Sequence, residues 1–410
     1  MQKQLVIIGG GASGFFCAVN AAKINPNLKI TIVEKQSKVL QKVKVSGGGR
    51  CNVTNGIAQA SLLIQKYPRG KNFLKKSFKH FTTTDTINWF EERGVKLKTE
   101  IDGRVFPISD SSQSIIDCLL NEVSKYKIEL KIQTEIVSVE KIKDQFILET
   151  KNDQRIIADY LYIASGGFPK IEQYDWMKKL GHKIDAPVPS LFTFNIPKHP
   201  INNLMGVVVE NAICKIVGTK LEEQGPVLVT HWGFSGPAIL RLSAWGALEL
   251  QQKNYDFTII INWLGIKESE LRSNWNDLRN KQSHLQLKNK NPFGLPTRLW
   301  DFILHENEID EATKWSELPS KEQNKLIHTL TTHTFQVKGK TTFKEEFVTC
   351  GGVELNEVDA DTMQSKLVPN LFFGGEILNI DGITGGFNFQ NAWTCGFVAA
   401  KRLSTLQQTY

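Results

Sequence analysis

This chain lacks the marks of a disulfide or zinc framework. Its six cysteines (Cys17, Cys51, Cys118, Cys214, Cys350 and Cys395) are scattered, with no CxxC pair and no zinc spacing. That distribution suits a reducing cytoplasm and argues against a structural metal or a redox-active dithiol. No apolar run reaches the length of a membrane span. The opening "MQKQLVIIGGG" runs straight into a short apolar stretch ending in glycines and does not read as a signal peptide. The expected location is the cytoplasm, with no membrane partner.

At 410 residues the chain exceeds what one hydrophobic core usually supports, and two or three domains are expected. The composition, 41% hydrophobic, 22% charged and 10% aromatic, is that of a soluble globular protein. The formal charge of +8 fits nucleic acid, a membrane surface or an anionic ligand. The lysines are spread along the chain and read mainly as solvated faces, with RNA left open as a partner.

The informative feature is where glycine is concentrated. "QLVIIGGGASGFFCAVNAAKINPNLKITIVEKQ" reads as strand, turn, helix, strand. Leu5 to Ile8 form the continuous apolar run of a buried parallel strand. Gly9, Gly11 and Gly14 follow as GxGxxG, and Cys17, Ala18, Ala21 and Ala22 supply small side chains at helical spacing. In this pattern the first glycine makes the tight turn, the second lets a pyrophosphate approach the backbone, and the third lets the helix sit against the strand. The helix start offers N–H groups and a positive dipole end to phosphate. Glu34, at the end of the second strand, is placed to accept both hydroxyl hydrogens of an adenosine ribose, which suits FAD or NAD and disfavours NADP at this site.

A second cluster, "VSGGGRCNVTN" (45–55), is not needed by an NAD domain. Gly47, Gly48 and Gly49 would let main chain pass close to a flavin or its ribityl chain. Ser46, Arg50 and Asn52 would offer hydroxyl, guanidinium and amide contacts. Two further apolar strands end in glycines: "DYLYIASGGFP" (159–169), at Ala164, Ser165 and Gly166, and "NLFFGGEIL" (370–378), at Gly375 and Glu376. Gly385 and Gly386 open a final helix whose packing face is Ala392, Trp393, Gly396, Phe397 and Ala400. Several glycine-rich ends converging on one ligand is what a long dinucleotide such as FAD requires.

With "GGGASG", "SGGGRCNVTN", "GRVFP" (103–107), "ASGGFP", "THWGFSGPAIL" (230–240), "TMQSKLVPNLFFGGEIL" (362–378) and "GGFNFQNAW" (385–393) in order along nearly the whole chain, the sequence resembles the bacterial BaiN-like (YhiN-like) family. These are FAD-dependent oxidoreductases of the two-dinucleotide-binding-domain flavoprotein type, some of them named aminoacetone oxidases or bile-acid dehydro-reductases. The resemblance implies non-covalent FAD. It assigns Gly9, Gly11, Ala12, Ser13 and Gly14 to the pyrophosphate turn and Glu34 and Lys35 to the adenosine ribose. Ser46, Gly48, Arg50, Cys51 and Asn52 fall on the flavin side, and Val137 lies near the adenine. Gly375 and Glu376 approach the ribityl or phosphate, and Gly386, Phe387, Asn388 and Gln390 the pyrimidine edge of the flavin. The chain departs from the family at Asn379, where Asp is usual, and at Phe387, where Tyr is usual.

The fold class expected is α/β: a Rossmann-like FAD-binding domain (1–189 and 348–410) carrying an inserted β-barrel domain (190–265 and 334–347). A helical insert (266–333) is expected inside the barrel as a wall of the substrate pocket. "LFTFNIPKH", "GVVVENAICKIVGTK", "GPVLVTHW" and "DFTIIINWL" supply the short strands. Trp275, Trp300 and Trp315 read as core anchors of the insert. His231 is either an acid–base group near substrate or a packed strand-end residue, and no catalytic side chain is assigned. The leading reading is an oxidoreductase passing a hydride between FAD and a small-molecule substrate. NAD(P)H, as a transient donor, or dioxygen would be the redox partner, since no second nucleotide fingerprint follows. The alternative is a flavoprotein that binds or modifies RNA through its basic surface.

Overall fold

A computed structural model describes residues 2–341 and 348–406. Residues 342–347 and 407–410, which belong to the expected barrel and FAD-binding segments, lie outside the described residues. The chain divides into two compact units, Met1–Ser190 with Lys344–Tyr410, and Leu191–Phe343.

The first unit is built on a five-stranded parallel sheet. Its strands are β1 (Gln4–Ile8), β2 (Lys29–Val33), β3 (Glu129–Lys131), β4 (Tyr160–Ile163) and β5 (Leu371–Phe373), in the order β5-β4-β1-β2-β3. The pairing is parallel throughout, for example Val6 beside Thr31 and Leu161, and Tyr162 beside Phe372. β1 and β4 are apolar along their whole length because both faces are covered.

Two helices matter for the site, α1 (Ala12–Ile24) and α2 (Phe387–Thr405). Both are buried along most of their length. They approach so closely that a Cβ on Gly396 would lie 2.8 Å from the Ser13 carbonyl oxygen. Trp393, fully buried, packs on Phe16 and Phe90 and donates its indole N–H to the Val53 carbonyl at 2.9 Å. The last helix is thereby tied both to the first helix and to the 51–55 loop.

The second unit is a seven-stranded antiparallel sheet. One nearly continuous run forms both its edges: His333–Lys338 pairs with Asp256–Asn262, and Lys340–Thr341 pairs with Thr193–Asn195. The sheet therefore wraps round on itself. The helices Glu268–Lys281, Thr297–Glu306 and Ser320–Thr332 lie between two of these strands in the chain. They share one continuous core with the sheet, running from Ile259 and Trp263 through Leu271 to Trp275, Trp300 and Trp315. Trp300 and Trp315 stack at 6.2 Å between ring centres. Among the described residues no helix is long and apolar enough to cross a membrane.

Candidate dinucleotide site

The glycine turn after β1 follows from steric limits. A Cβ on Gly14 would sit 2.1 Å from the Gly9 carbonyl oxygen, and one on Gly9 would sit 2.3 Å from that of Ala164. Neither position admits a side chain. Gly11 is the opposite case: a Cβ there meets nothing within 4 Å, so its bareness leaves open space over the start of α1. That helix start has no side-chain cap and no acidic residue in its first turn. Its first N–H groups, without intrahelical partners, and its positive dipole end suit an anion.

Glu34 lies half-buried directly beside this turn. Its Oε2 accepts the Gly10 N–H and its Oε1 the Gln36 N–H, both at 2.8 Å. Residues 133 and 134 run alongside, with the Thr134 N–H on the Glu34 carbonyl. Val137, three residues further on, is half exposed. Lys35 is exposed and sets its ammonium over the Phe168 ring at 5.4 Å, linking the ribose corner to the loop after β4.

At the end of β4, Gly167 approaches Thr349 and Glu376 so closely that a Cβ would lie 2.3 Å from Thr349 Oγ1. Gly166, in the left-handed region, lies beside Glu376. Ser165 Oγ and Thr349 Oγ1 are buried with no hydrogen-bond partner. Glu376 takes the Lys42 ammonium at 2.6 Å and the Thr349 N–H at 2.8 Å. Gly375, also left-handed, sits against Ser13, its Cβ position 3.1 Å from that of Ser13. The ends of β1, β4 and β5 thus meet at the first turn of α1.

The loop of residues 46–49 is a turn with three successive left-handed glycines, Gly47, Gly48 and Gly49. Cβ positions on Gly48 and Gly49 meet nothing within 4 Å, while one on Gly47 would press on the Phe106 ring. Beyond the turn, Asn52 bridges to α2: its amide nitrogen reaches the Thr54 carbonyl, and its oxygen accepts the Gly386 N–H, each at 2.9 Å. Asn55 donates to the Gly385 carbonyl and Tyr67 to that of Phe387. The "SGGGRCN" loop and the "GGFNFQ" helix start form one body, and α2, like α1, begins with neither a side-chain cap nor an acidic residue.

Several expected ligand side chains are committed elsewhere, and their roles are revised. Arg50 binds Glu100 at 2.7 Å, lies 3.5 Å from Asp110 and stacks its guanidinium 3.9 Å over Phe106. Two carboxylates and a ring from one neighbouring hairpin region outcompete any ligand for it. The Ser13 hydroxyl, buried, bonds the Tyr162 hydroxyl at 2.6 Å, leaving the Ser13 backbone as what it offers. Asn388 clasps both the N–H and the carbonyl of Gly382. Gln390, fully buried, accepts from Thr54 and Thr86 and donates to Thr394. Both residues brace the helix start. Cys51 is buried, and burial pushes its thiol up to about 12 against a lesser pull from Ser46, so it stays a neutral thiol. Ser46 turns its hydroxyl to the Val43 carbonyl.

Asn379 faces Asp185, donating to its carboxylate at 2.5 Å and accepting the Gly351 N–H at 3.1 Å. An aspartate here would oppose a second carboxylate. Phe387 buries its ring against Tyr67, and Tyr67 supplies the nearby hydroxyl. Lys42, Tyr67, Tyr162 and Thr349 were not singled out from sequence. Each stands in a segment with no glycine or motif signal and reaches the site through the fold.

Residues 3–402 match the HI0933-like protein Rossmann domain. The chain belongs to this family. It is a flavoprotein oxidoreductase family with an FAD-binding Rossmann fold. Among its relatives, the ribosomal RNA dihydrouridine synthase of Escherichia coli (strain K12) is 31% identical over 408 residues, 97% of each chain. The 3-dehydro-bile acid delta(4,6)-reductase of Clostridium scindens is 26% identical over 98% of each chain. Of solved structures, the E. coli quinol fumarate reductase flavoprotein matches with a TM-score of 0.51 at 13% identity, covering all of this chain and 71% of the other. The 3-ketosteroid-delta4-(5alpha)-dehydrogenase of Rhodococcus jostii RHA1 matches at 0.50 and 11%, over 97% of both chains. At such identities these two speak for the fold alone.

The family's cofactor fits the residues present. The open space over Gly11, Gly48 and Gly49, the two uncapped helix starts, and the orphaned hydroxyls of Ser165 and Thr349 are what a long dinucleotide would fill.

Proposed function

We propose that this protein is an FAD-dependent reductase that saturates the C5–C6 double bond of a uridine in ribosomal RNA. The observation that carries the reading is the 31% identity, along 97% of both chains, with a ribosomal RNA dihydrouridine synthase. A second relative of that description, from Haemophilus influenzae, is 26% identical over 98% of its length. The net charge of +8 suits a polyanionic substrate. Reduction, as opposed to oxidase chemistry, is favoured because the relatives' names describe adding hydrogen across a double bond.

In this reading the Gly9–Gly14 turn and the N–H groups of α1 hold the pyrophosphate, and Glu34 holds the adenosine ribose. Gly166, Gly375 and Thr349 line the middle of the cofactor. The 47–52 loop and the start of α2 flank the flavin, with the positive end of α2 stabilising negative charge beside it. When bound, FAD supplies the hydride that an activated double bond accepts, and NADH or NADPH is the reductant that restores it. The side chains that flank the flavin, Asn52, Asn55 and Phe387, hold position and do not carry protons.

A second reading, reduction of a small cyclic enone, is supported by the bile-acid reductase relative. One experiment separates the two. The purified protein is reduced anaerobically with NADH or NADPH, then given either ribosomal RNA from cells lacking the gene or a steroid enone. Dihydrouridine, two mass units above uridine in a nucleoside digest, is the expected product. Flavin reoxidation by the enone without dihydrouridine would favour the second reading. Reoxidation by neither, with rapid reaction with dioxygen, would overturn both.

A further inference from the structure

In the second unit most tryptophans are hidden: Trp263, Trp275, Trp300 and Trp315 are 1% exposed or less. Trp232 is 38% exposed and sits with exposed His231 at the tip of the tight hairpin that pairs Thr230 with Gly233. The two rings lie 5.4 Å apart. The tip is stiff: Thr230 Oγ1 donates to the Gly233 carbonyl at 3.0 Å. A Cβ on Gly233 would lie 2.1 Å from the Phe194 carbonyl oxygen.

A second segment runs beside it. The Ile196 N–H bonds the Trp232 carbonyl at 2.6 Å, and the Gly206 N–H bonds that of Val229 at 3.0 Å. This segment presents exposed Lys198 and Met205. Exposed Arg298 braces it by donating to the Asn203 and Met205 carbonyls, which leaves its positive charge at the tip without a carboxylate partner in either bond. The chain segments that build the tip, 196–209 and 230–248, contain no Asp or Glu.

We propose that this hairpin tip is a docking surface for single-stranded RNA, with Trp232 stacking on an unpaired base and Lys198 and Arg298 meeting the backbone phosphates. The proposal deepens the ribosomal RNA reading above and rests on it for the class of partner. Three features carry it: an exposed indole on a stiff turn, a neighbouring imidazole, and a local charge of one sign. Stacking on an aromatic ring is tolerant of base identity, and cations alongside follow the strand. A protein partner would be served equally by an exposed tryptophan, but it would not need flanking segments free of acid.

The test uses the full-length, flavin-loaded protein and a short fluorescein-labelled unstructured RNA, with its duplex as control, read by fluorescence anisotropy over a range of salt. The single strand should bind more tightly than the duplex. Trp232→Ala should weaken single-strand binding about 5- to 150-fold, the ordinary worth of one stacked base, and Trp232→Phe should recover most of it. Lys198→Ala should reduce the slope of log affinity against log salt by about 0.7. Trp245→Ala, which removes an equally exposed indole outside the hairpin, should change nothing.

Equal RNA affinity for wild type, Trp232→Ala and Trp245→Ala would overturn the proposal. So would a Trp232→Ala effect confined to the mass in solution, which would make the tip a contact between copies of the chain. Flavin content and circular dichroism check folding, and Lys198→Glu gives an independent loss should Trp232→Ala fail to fold. If wild type makes dihydrouridine while Trp232→Ala keeps the same RNA affinity and KM, the tip falls and the function stands. If Trp232-dependent binding occurs without dihydrouridine, the reduction falls and the tip stands.

Discussion

Replacing Glu34 by glutamine preserves the shape of the side chain, yet the geometry makes the exchange costly. Both carboxylate oxygens act as acceptors toward backbone donors, Gly10 N–H on one and Gln36 N–H on the other, at 2.8 Å each. A glutamine has one acceptor and one donor, so whichever way its amide turns, an NH2 group faces an N–H. One charge-assisted hydrogen bond, worth about 1.5–3 kcal/mol, is lost, and a donor–donor contact replaces it. Water at this half-buried corner softens the cost toward the lower end. The Gly10 bond also fixes the glycine turn, so the loss is felt where the pyrophosphate would bind. The Kd for FAD should rise about 10- to 100-fold, which corresponds to about 1.4–2.8 kcal/mol, and Glu34→Gln should be nearly as damaging as Glu34→Ala. The assay is titration of apoprotein with FAD, followed by quenching of flavin fluorescence. A Glu34→Gln protein within two-fold of wild type, beside a severely weakened Glu34→Ala, would refute the reasoning, because one acceptor would then suffice.

Three further outcomes can be checked with the same preparations. Gly11→Val should fold with an unchanged melting temperature as apoprotein but fail to retain flavin, whereas Gly14→Ala, whose Cβ would meet the Gly9 carbonyl at 2.1 Å, should be destabilised with or without FAD; equal behaviour of the two would contradict the division between open space and packing. Arg50→Ala should cost about 0.5–1 kcal/mol of stability, as for a partly exposed ion pair, and leave the flavin reduction potential unmoved because its guanidinium is held by Glu100 and Phe106; a shift in redox titration would show that the charge reaches the flavin. His182 is buried between Glu357 and Ser365, and burial depresses its pKa below the ordinary value against the pull of Glu357. The unfolded state therefore takes up its proton first as pH falls, so this contribution is present above about pH 6.5 and is lost below it; the wild-type melting temperature should drop on that acid side, and His182→Gln should flatten the drop.

The parts of the site that could be read in the sequence are those whose roles are set within a few residues. Gly9, Gly11 and Gly14 act through the turn they themselves form, and Glu34 ends the strand that pairs with β1. Side-chain assignments fared differently. Arg50 has a cation's chemistry wherever it points, but Glu100 and Asp110 decide where it points, and they stand fifty and sixty residues away in the chain. Gln390 is spaced along α2 as if it faced a ligand, yet Thr54 and Thr86 close over it. Ser13 occupies the right turn, while Tyr162 on β4 draws its hydroxyl inward. The glycines mark where main chain must come close to something; which polar side chains remain for a ligand depends on partners distant in sequence.

The contact between α1 and α2 has a consequence for biosynthesis. The helix that begins the chain's first βαβ unit is covered by a helix nearly 400 residues later, and β5 joins the sheet just before it. During translation the first strand, turn and helix therefore leave the ribosome long before the segment that completes their packing. Such long-range closure is slow and leaves apolar surface open in the interim. The nascent N-terminal third is thus a natural client for chaperones, and flavin loading falls after chain release. A ribosome-stalled chain ending before residue 370 should accordingly be protease-sensitive in its first unit and unable to hold FAD, however complete its glycine fingerprint.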